Sequence, residues 1–453
     1  MSCLAAESRH AEGAVLSRET GRTLLNSSLA LLGKRRSGGE TPVRVVLAVS
    51  GGPDSVALMA LAAESVDALA ATFHVVTIDH GLRPESVAEA AFVSRLACSL
   101  GLSHETRLWR EGPLAGNVSE QAREARYRLL AAAAREAGAA AIMTAHHQDD
   151  QIETHFIAAG RGAGPRGLAG MRPVREIGPD LFLLRPLLDV PRAALQATAL
   201  DRSLSFVNDP SNLDPHYLRA RIRRSLREQD TKERAEVLAQ IARHRENQSR
   251  AELNLTSIMG RWHDAGLLVV SPEGTVELDR PAFQKLESLS SIALLERILL
   301  AVGGGAHPPA RSAVERFDHH LKNGDQVRTV TLNGIIAEVG SRMRFVREFG
   351  RRGIPSVDLS SNPARVGVGS GGVLFDHRFE VNVSTVEGSA SLIALGALGR
   401  GNRVEKTLPV LLDAEGGILA APAALRAKVP PATPILPIKE RISWRLWQDL
   451  PDV

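Results

Sequence analysis

The chain has 453 residues, 44% hydrophobic and 23% charged, with a formal net charge of +4. This excludes a disordered or fibrous protein, leaves room for about three globular domains, and permits a nucleic-acid partner without requiring one. Its 4% aromatic content argues against extended base-stacking platforms.

Cys3 and Cys98 form no C-x-x-C pair, so neither a disulfide framework nor a zinc knuckle is expected. The first residues lack the apolar stretch of a signal peptide, and no run is long enough to span a bilayer. The chain reads as cytoplasmic, with no membrane partner.

Residues 1 to about 15 read as a loose leader. Leu24, Leu25, Leu29, Leu31 and Leu32 have helical spacing, and the basic, glycine-rich stretch 33–39 suits a helix end. An apolar strand, 45–49, then runs into Ser50-Gly51-Gly52-Pro53-Asp54-Ser55 and opens into a helix from Val56. This strand–loop–helix layout suits a phosphate. Gly51 and Gly52 let the backbone fold tightly and approach a polyanion. Ser50 and Ser55 add hydroxyl donors, and Pro53 fits a first helical turn. The helix start points N–H groups and a positive dipole end at the anion. Asp54 is out of place in a pure anion cradle but makes sense as a Mg²⁺ ligand beside a triphosphate. No Gly-Lys-Ser/Thr follows, so this is not a Walker A loop.

A second strand, 72–78, ends in Asp79-His80. At the carboxyl edge of a parallel sheet these two residues would stand beside the phosphate loop; a capped turn histidine is the plainer reading of His80. A helix over 84–100, a strand over 103–108 and a long helix over 117–138 follow. Arg123 and Arg126 share a face of that helix, as a solvated basic patch or as phosphate ligands. A buried strand, 139–145, leads into His146-His147-Gln148-Asp149-Asp150-Gln151-Ile152-Glu153-Thr154. A helix here brings Asp149 and Asp150 to the side of Glu153. Capping acids at a helix start explain one or two of these carboxylates but not the whole string. His146, His147 and Asp150 are metal-ligand types, yet the spacing does not suit a structural zinc site.

Residues 161–171 form a glycine-rich loop that includes Arg161, and 208–224 join a turn-rich run to Arg219, Arg221, Arg223 and Arg224. Those arginines are either a solvated helix face or phosphate contacts. Alternation of strands and helices from 40 to 190 predicts a doubly wound parallel sheet. The expected division is a leader and helix over 1–38, an α/β catalytic domain over 39–225, a helical connector over 226–350 broken at 266–276, and a small β-rich domain over 366–453. Strand-like runs are expected near 329–339, 375–383 and 409–412.

The 50–55 string resembles the PP-loop of the ATP pyrophosphatases. Together with 79–83, 122–127, 144–154, 161–171 and 208–223, in that order, it resembles the bacterial tRNA(Ile)-lysidine synthases, densely over 40–225 and only in layout beyond about 230. Ala220 departs from the asparagine more usual between the two arginines. The resemblance implies a PP-loop α/β domain followed by smaller tRNA-gripping domains. It also implies a two-step reaction on the wobble cytidine of the CAU anticodon of tRNA(Ile), consuming ATP with Mg²⁺ and L-lysine, and it points to a homodimer.

On this reading Ser50, Gly51, Gly52, Pro53, Asp54, Ser55, Asp79 and His80 hold ATP, and Asp54 holds Mg²⁺. Arg123 and Arg126 stabilise charge at the α-phosphate. Asp150 and Glu153, with Asp149 nearby, receive the amines of lysine, and a carboxylate helps deprotonate the attacking amine. Arg161, Arg219 and Arg221 bind substrate, with Arg221 placed to meet the lysine carboxylate. The rivals are a tRNA thiolase, which typically carries C-x-x-C pairs, a small-molecule ligase with the same loop, and a non-enzymatic tRNA-binding protein.

Overall fold

The computed structural model describes residues 14–33, 42–81, 84–110, 112, 118–178, 180–207, 221–222, 231–305, 309–324, 329–359, 367–368, 372–383 and 389–447. The chain resolves into two compact units that divide between Glu246 and Asn247.

The first unit is built on a six-stranded sheet. Its strands are β1 (Val43–Ala48), β2 (Ala71–Asp79), β3 (Ser103–Leu108), β4 (Ala141–Met143), β5 (Val174–Gly178) and β6 (Leu181–Leu184), in the order β3-β2-β1-β4-β6-β5. Strands β1 to β4 and β6 run parallel. The edge strand β5 pairs antiparallel with β6, so the expected doubly wound parallel sheet carries one antiparallel edge. Only a short turn, with Asp180 at φ 54, separates β5 from β6, and a parallel pair needs a long crossover.

Alternation along β1 sends side chains to two cores. Val45 and Leu47 pack with α1 (Arg18–Gly33), α2 (Pro53–Ala63), α3 (Ser86–Ser99) and α7 (Arg192–Asp201). Val46 packs on the other face with Leu130, Ala133 and Ala134 of α4 (Val118–Glu136). Between β4 and β5 lie α5 (Gln148–Gly160) and the short α6 (Pro165–Leu168). The long helix α8 (Thr231–Asp264) lays Val237, Leu238 and Ile241 against Ile152 and Phe156 of α5.

From β1 the sheet order steps to β2 on one side and β4 on the other. This reversal opens a crevice at the carboxyl ends of β1 and β4. The 50–55 loop and the 146–153 string are the segments that leave those two ends.

In the second unit a five-stranded antiparallel sheet packs against the helices Ser288–Gly303 and Arg311–Asn323, and two four-stranded sheets follow. The stretch expected as a mere break at 266–276 leads into a hairpin, Leu268–Val270 with Val276–Asp279. Its strands are too short for periodicity to register. The expected run at 375–383 folds back on itself at Asp376 and His377, both at positive φ. Among the described residues no helix is long and apolar enough to cross a membrane.

Candidate active site

The 50–55 loop is braced from behind. Gly51 sits at φ +88, and a Cβ there would lie 3.2 Å from Val93 and 3.4 Å from Val207. Its carbonyl accepts the Val207 N–H at 2.8 Å. The Ser55 hydroxyl accepts the Ser50 N–H at 3.2 Å and donates to the Gly52 carbonyl at 3.0 Å. Ser50 is exposed. Gly52 is the N-cap of α2, at an ordinary φ of −70. A Cβ on Gly52 meets nothing closer than the Ser50 hydroxyl at 3.8 Å. Its missing side chain therefore keeps space open in front of the first-turn N–H groups, which have no intrahelical acceptor.

Asp54 stands in that first turn. Its Oδ1 is hidden from solvent with no hydrogen bond. Its Oδ2 faces two cationic groups, His147 Nε2 and Arg192 Nε, each at 3.6 Å. A buried carboxylate oxygen without a donor suits a hard cation. Among the described residues no three His, Cys, Asp or Glu side chains are grouped to hold a metal. A cation at Asp54 would therefore complete its shell with substrate oxygens, as Mg²⁺ does.

The 146–153 string packs around the N-terminus of α5. His147 is its N-cap, in a reciprocal capping box with Asp150: the His147 N–H donates to Asp150 Oδ2 at 3.1 Å, and the Asp150 N–H approaches His147 Nδ1 at 3.4 Å. Burial opposes charge on the His147 ring, but the carboxylates of Asp150, Asp54 and Asp149 outweigh it and push the pKa up to about 9. The long Nδ1 contact is given up on protonation, while the attraction of Nε2 to carboxylates at 3.4 and 3.6 Å grows with the charge.

Asp149 points elsewhere. Its Oδ1 accepts from Arg234 of α8 at 3.0 Å and from the Arg192 N–H at 3.3 Å. Burial would raise its pKa, but Arg234, His147 and the Arg192 N–H together hold it below the ordinary value. Glu153, one turn further along, is 1% exposed.

On the β2 side, the Asp79 carboxylate accepts the Gly81 N–H at 2.8 Å. Next to it, His80 has a buried Nδ1 without a hydrogen bond and sets its ring edge-on to Trp109. Burial, followed by the charge of Arg126, lowers its pKa against the opposing pull of Asp79. Arg123 and Arg126 lie over the Tyr127 ring, at 5.3 and 5.6 Å from its centroid. Burial would raise the Tyr127 pKa, but Arg123, Arg126, Arg185 and Arg175 bring it below the ordinary value. His146 is held neutral by burial and by Arg185, and its Nδ1 bonds the Thr144 hydroxyl at 2.7 Å.

The structure thus brings Asp54, Asp149 and Asp150 into one network, with His80 within electrostatic reach of Arg126 and His146 within reach of both Arg123 and Arg126. Arg161 is exposed at the C-cap of α5, about 17 Å of helix from the acids at its start. Arg221 is exposed. Arg219 lies outside the described residues.

Sequence reasoning passed over His147 as a bridge, and also Tyr127, Arg185, Arg192 and Arg234. The adjacency of Tyr127 to Arg126 was a usable signal. Arg192 and Arg234 carried none, because only the fold brings them to the acids.

A family model described as the PP-loop domain matches residues 25–230. A tRNA(Ile)-lysidine synthase from Methylobacterium nodulans is 42% identical over 277 residues, 61% of this chain and 80% of that protein. One from Ruegeria pomeroyi is 37% identical over 370 residues, 80% of this chain and 81% of that protein. Among solved structures, a U34-tRNA thiolase from Methanococcus maripaludis aligns with 50% of this chain and 80% of that chain, at 15% identity and a TM-score of 0.39.

Proposed function

The chain belongs to the tRNA(Ile)-lysidine synthases, and from that premise we propose how its residues carry out ATP-dependent lysidine formation in tRNA(Ile). The observation that carries the reading is the meeting of the 50–55 loop with the acid-bearing start of α5, through the contact of His147 with both Asp54 and Asp150. An anion cradle and a carboxylate pocket side by side suit a reaction that splits ATP and then admits an amine.

In the first step the C2 oxygen of the wobble cytidine attacks the α-phosphorus of ATP, and the bond to pyrophosphate breaks. The first-turn N–H groups of α2 and the exposed hydroxyl of Ser50 receive the leaving pyrophosphate, while Ser55, whose hydroxyl proton goes to the Gly52 carbonyl, holds the loop in shape. Mg²⁺, when held by Asp54, neutralises phosphate charge. Arg123 and Arg126 offset the charge that builds at the α-phosphate, while Asp79 and His80 flank the nucleotide at the end of β2.

In the second step the amine of L-lysine attacks C2, the C2–O bond breaks and AMP leaves. Asp150 and Glu153 orient the ammonium group, and a carboxylate takes the proton that the amine must lose before it attacks. Asp149, already engaged by the Arg234 guanidinium and the Arg192 backbone N–H, holds Arg234 and the start of α7 in place; any contact it makes with lysine is secondary. Arg161, Arg219 and Arg221 serve the tRNA strand or the lysine carboxylate. A homodimer working in the cytoplasm completes the proposal.

The test is to incubate the protein with ATP, Mg²⁺, radiolabelled L-lysine and a CAU-anticodon tRNA(Ile) transcript, with a wobble-U transcript as control. Label in the tRNA that requires both ATP and the wobble C is expected. No label from folded protein that binds ATP would overturn the reading.

A further inference from the structure

We propose that Arg192 is a further polyphosphate-binding residue, parked on Asp54 until the cation and nucleotide arrive. Arg192 opens α7, and its backbone N–H is fixed to Asp149 at 3.3 Å. Its Nε lies 3.6 Å from Asp54 Oδ2, hidden from solvent and without a hydrogen bond. The side chain as a whole is 34% exposed, so the outer guanidinium nitrogens have room to move.

Asp54 therefore offers one oxygen to two cationic side chains and leaves the other with no donor. A divalent cation arriving at this carboxylate repels both groups. His147 has little freedom to withdraw: it is 3% exposed, and its Nε2 is also held by Asp150 Oδ2 at 3.4 Å. Arg192 has that freedom, because only its backbone is fixed. The anions within its reach are the phosphates drawn to the first turn of α2, where Asp54 itself stands. A guanidinium gains more from the paired oxygens of a phosphate than from a 3.6 Å contact with a carboxylate already shared.

This inference rests on the reading that Mg²⁺ and ATP occupy the 50–55 loop, so its test uses neither tRNA nor lysine. Arg192→Gln is compared with the unsubstituted protein in two titrations. One uses Mn²⁺ alone, followed by water-proton relaxation; the other uses ATP in EDTA, followed by calorimetry. The expected changes have opposite signs. Mn²⁺ binds about 3- to 10-fold more tightly once a competing cation is gone, and ATP binds about 10-fold more weakly for want of a phosphate ligand.

A residue that merely braces α7 would weaken both titrations together. That result, or no change in either, overturns the proposal. Arg192→Lys keeps the charge and loses the fork, so it is expected to restore competition with Mn²⁺ but only part of the ATP affinity. If the lysidine reading alone fails, the lysine-transfer assay is blank while the opposed titrations persist.

Discussion

Gly51 and Gly52 are neighbours under different constraints. Gly51 is held at φ +88 with valines behind it, so Gly51→Ala is expected to cost about 1–3 kcal/mol of stability in denaturant unfolding. Gly52 has an ordinary backbone and open space. Gly52→Ala should leave stability within about 0.5 kcal/mol while weakening ATP binding, because its methyl group stands in the cradle. Calorimetric titration alongside urea unfolding separates the two cases. Asp149 offers a pH test. Its pKa is depressed in the folded chain, so its pairing stabilises the fold above the ordinary carboxylate value near 3.8, and the benefit fades as pH falls through the lower folded value. Arg234→Gln should therefore cost about 1 kcal/mol at pH 7 and less near pH 2. Parallel loss at both pH values in urea melts would contradict the pairing.

At the scale of elements, α5 supports more than its acids. The Gln151 amide accepts the Met171 N–H at 2.6 Å and donates to the Met171 carbonyl at 2.9 Å, while His155 Nδ1 bonds the Leu168 carbonyl at 2.9 Å. Gly170, at φ +68, leaves no room for a Cβ beside the Gln151 oxygen. The glycine loop after α5 is thus folded back onto it. Gln151→Ala is expected to cost about 1–3 kcal/mol and to speed hydrogen exchange at the Met171 amide ahead of the sheet amides. Alternating strands and helices made the parallel sheet legible, and the serine–glycine turn with its acid made the phosphate site legible. The antiparallel β5 was not legible, because a short hairpin carries no long-range signal. Nor was the Gln151 clamp, since a buried glutamine inside a helix reads as surface until the fold places a backbone opposite it. Spacing set Asp149 and Asp150 on the same side as Glu153; only the fold turned one toward Arg234 and the other toward His147.

At the scale of the whole molecule, two units with separate hydrophobic cores are expected to give unfolding that departs from a single two-state transition. ATP with Mg²⁺ should raise the transition of the first unit by mass action, which scanning calorimetry with and without nucleotide would detect. One uniform shift of the whole profile would argue that the units melt together. The start of α8 imposes a different kind of constraint. Arg234 meets Asp149, Ile241 packs on Ile152, and His244 approaches His155. These contacts recur every three to seven residues along one face of the helix. A substitution at an outward position between them changes one side chain. Deleting a single residue there turns everything on one side of the cut by about 100° and draws it in by about 1.5 Å. Either Arg234 or Ile241 would then lose its partner. Across relatives, this stretch should vary freely in letter and hardly at all in count.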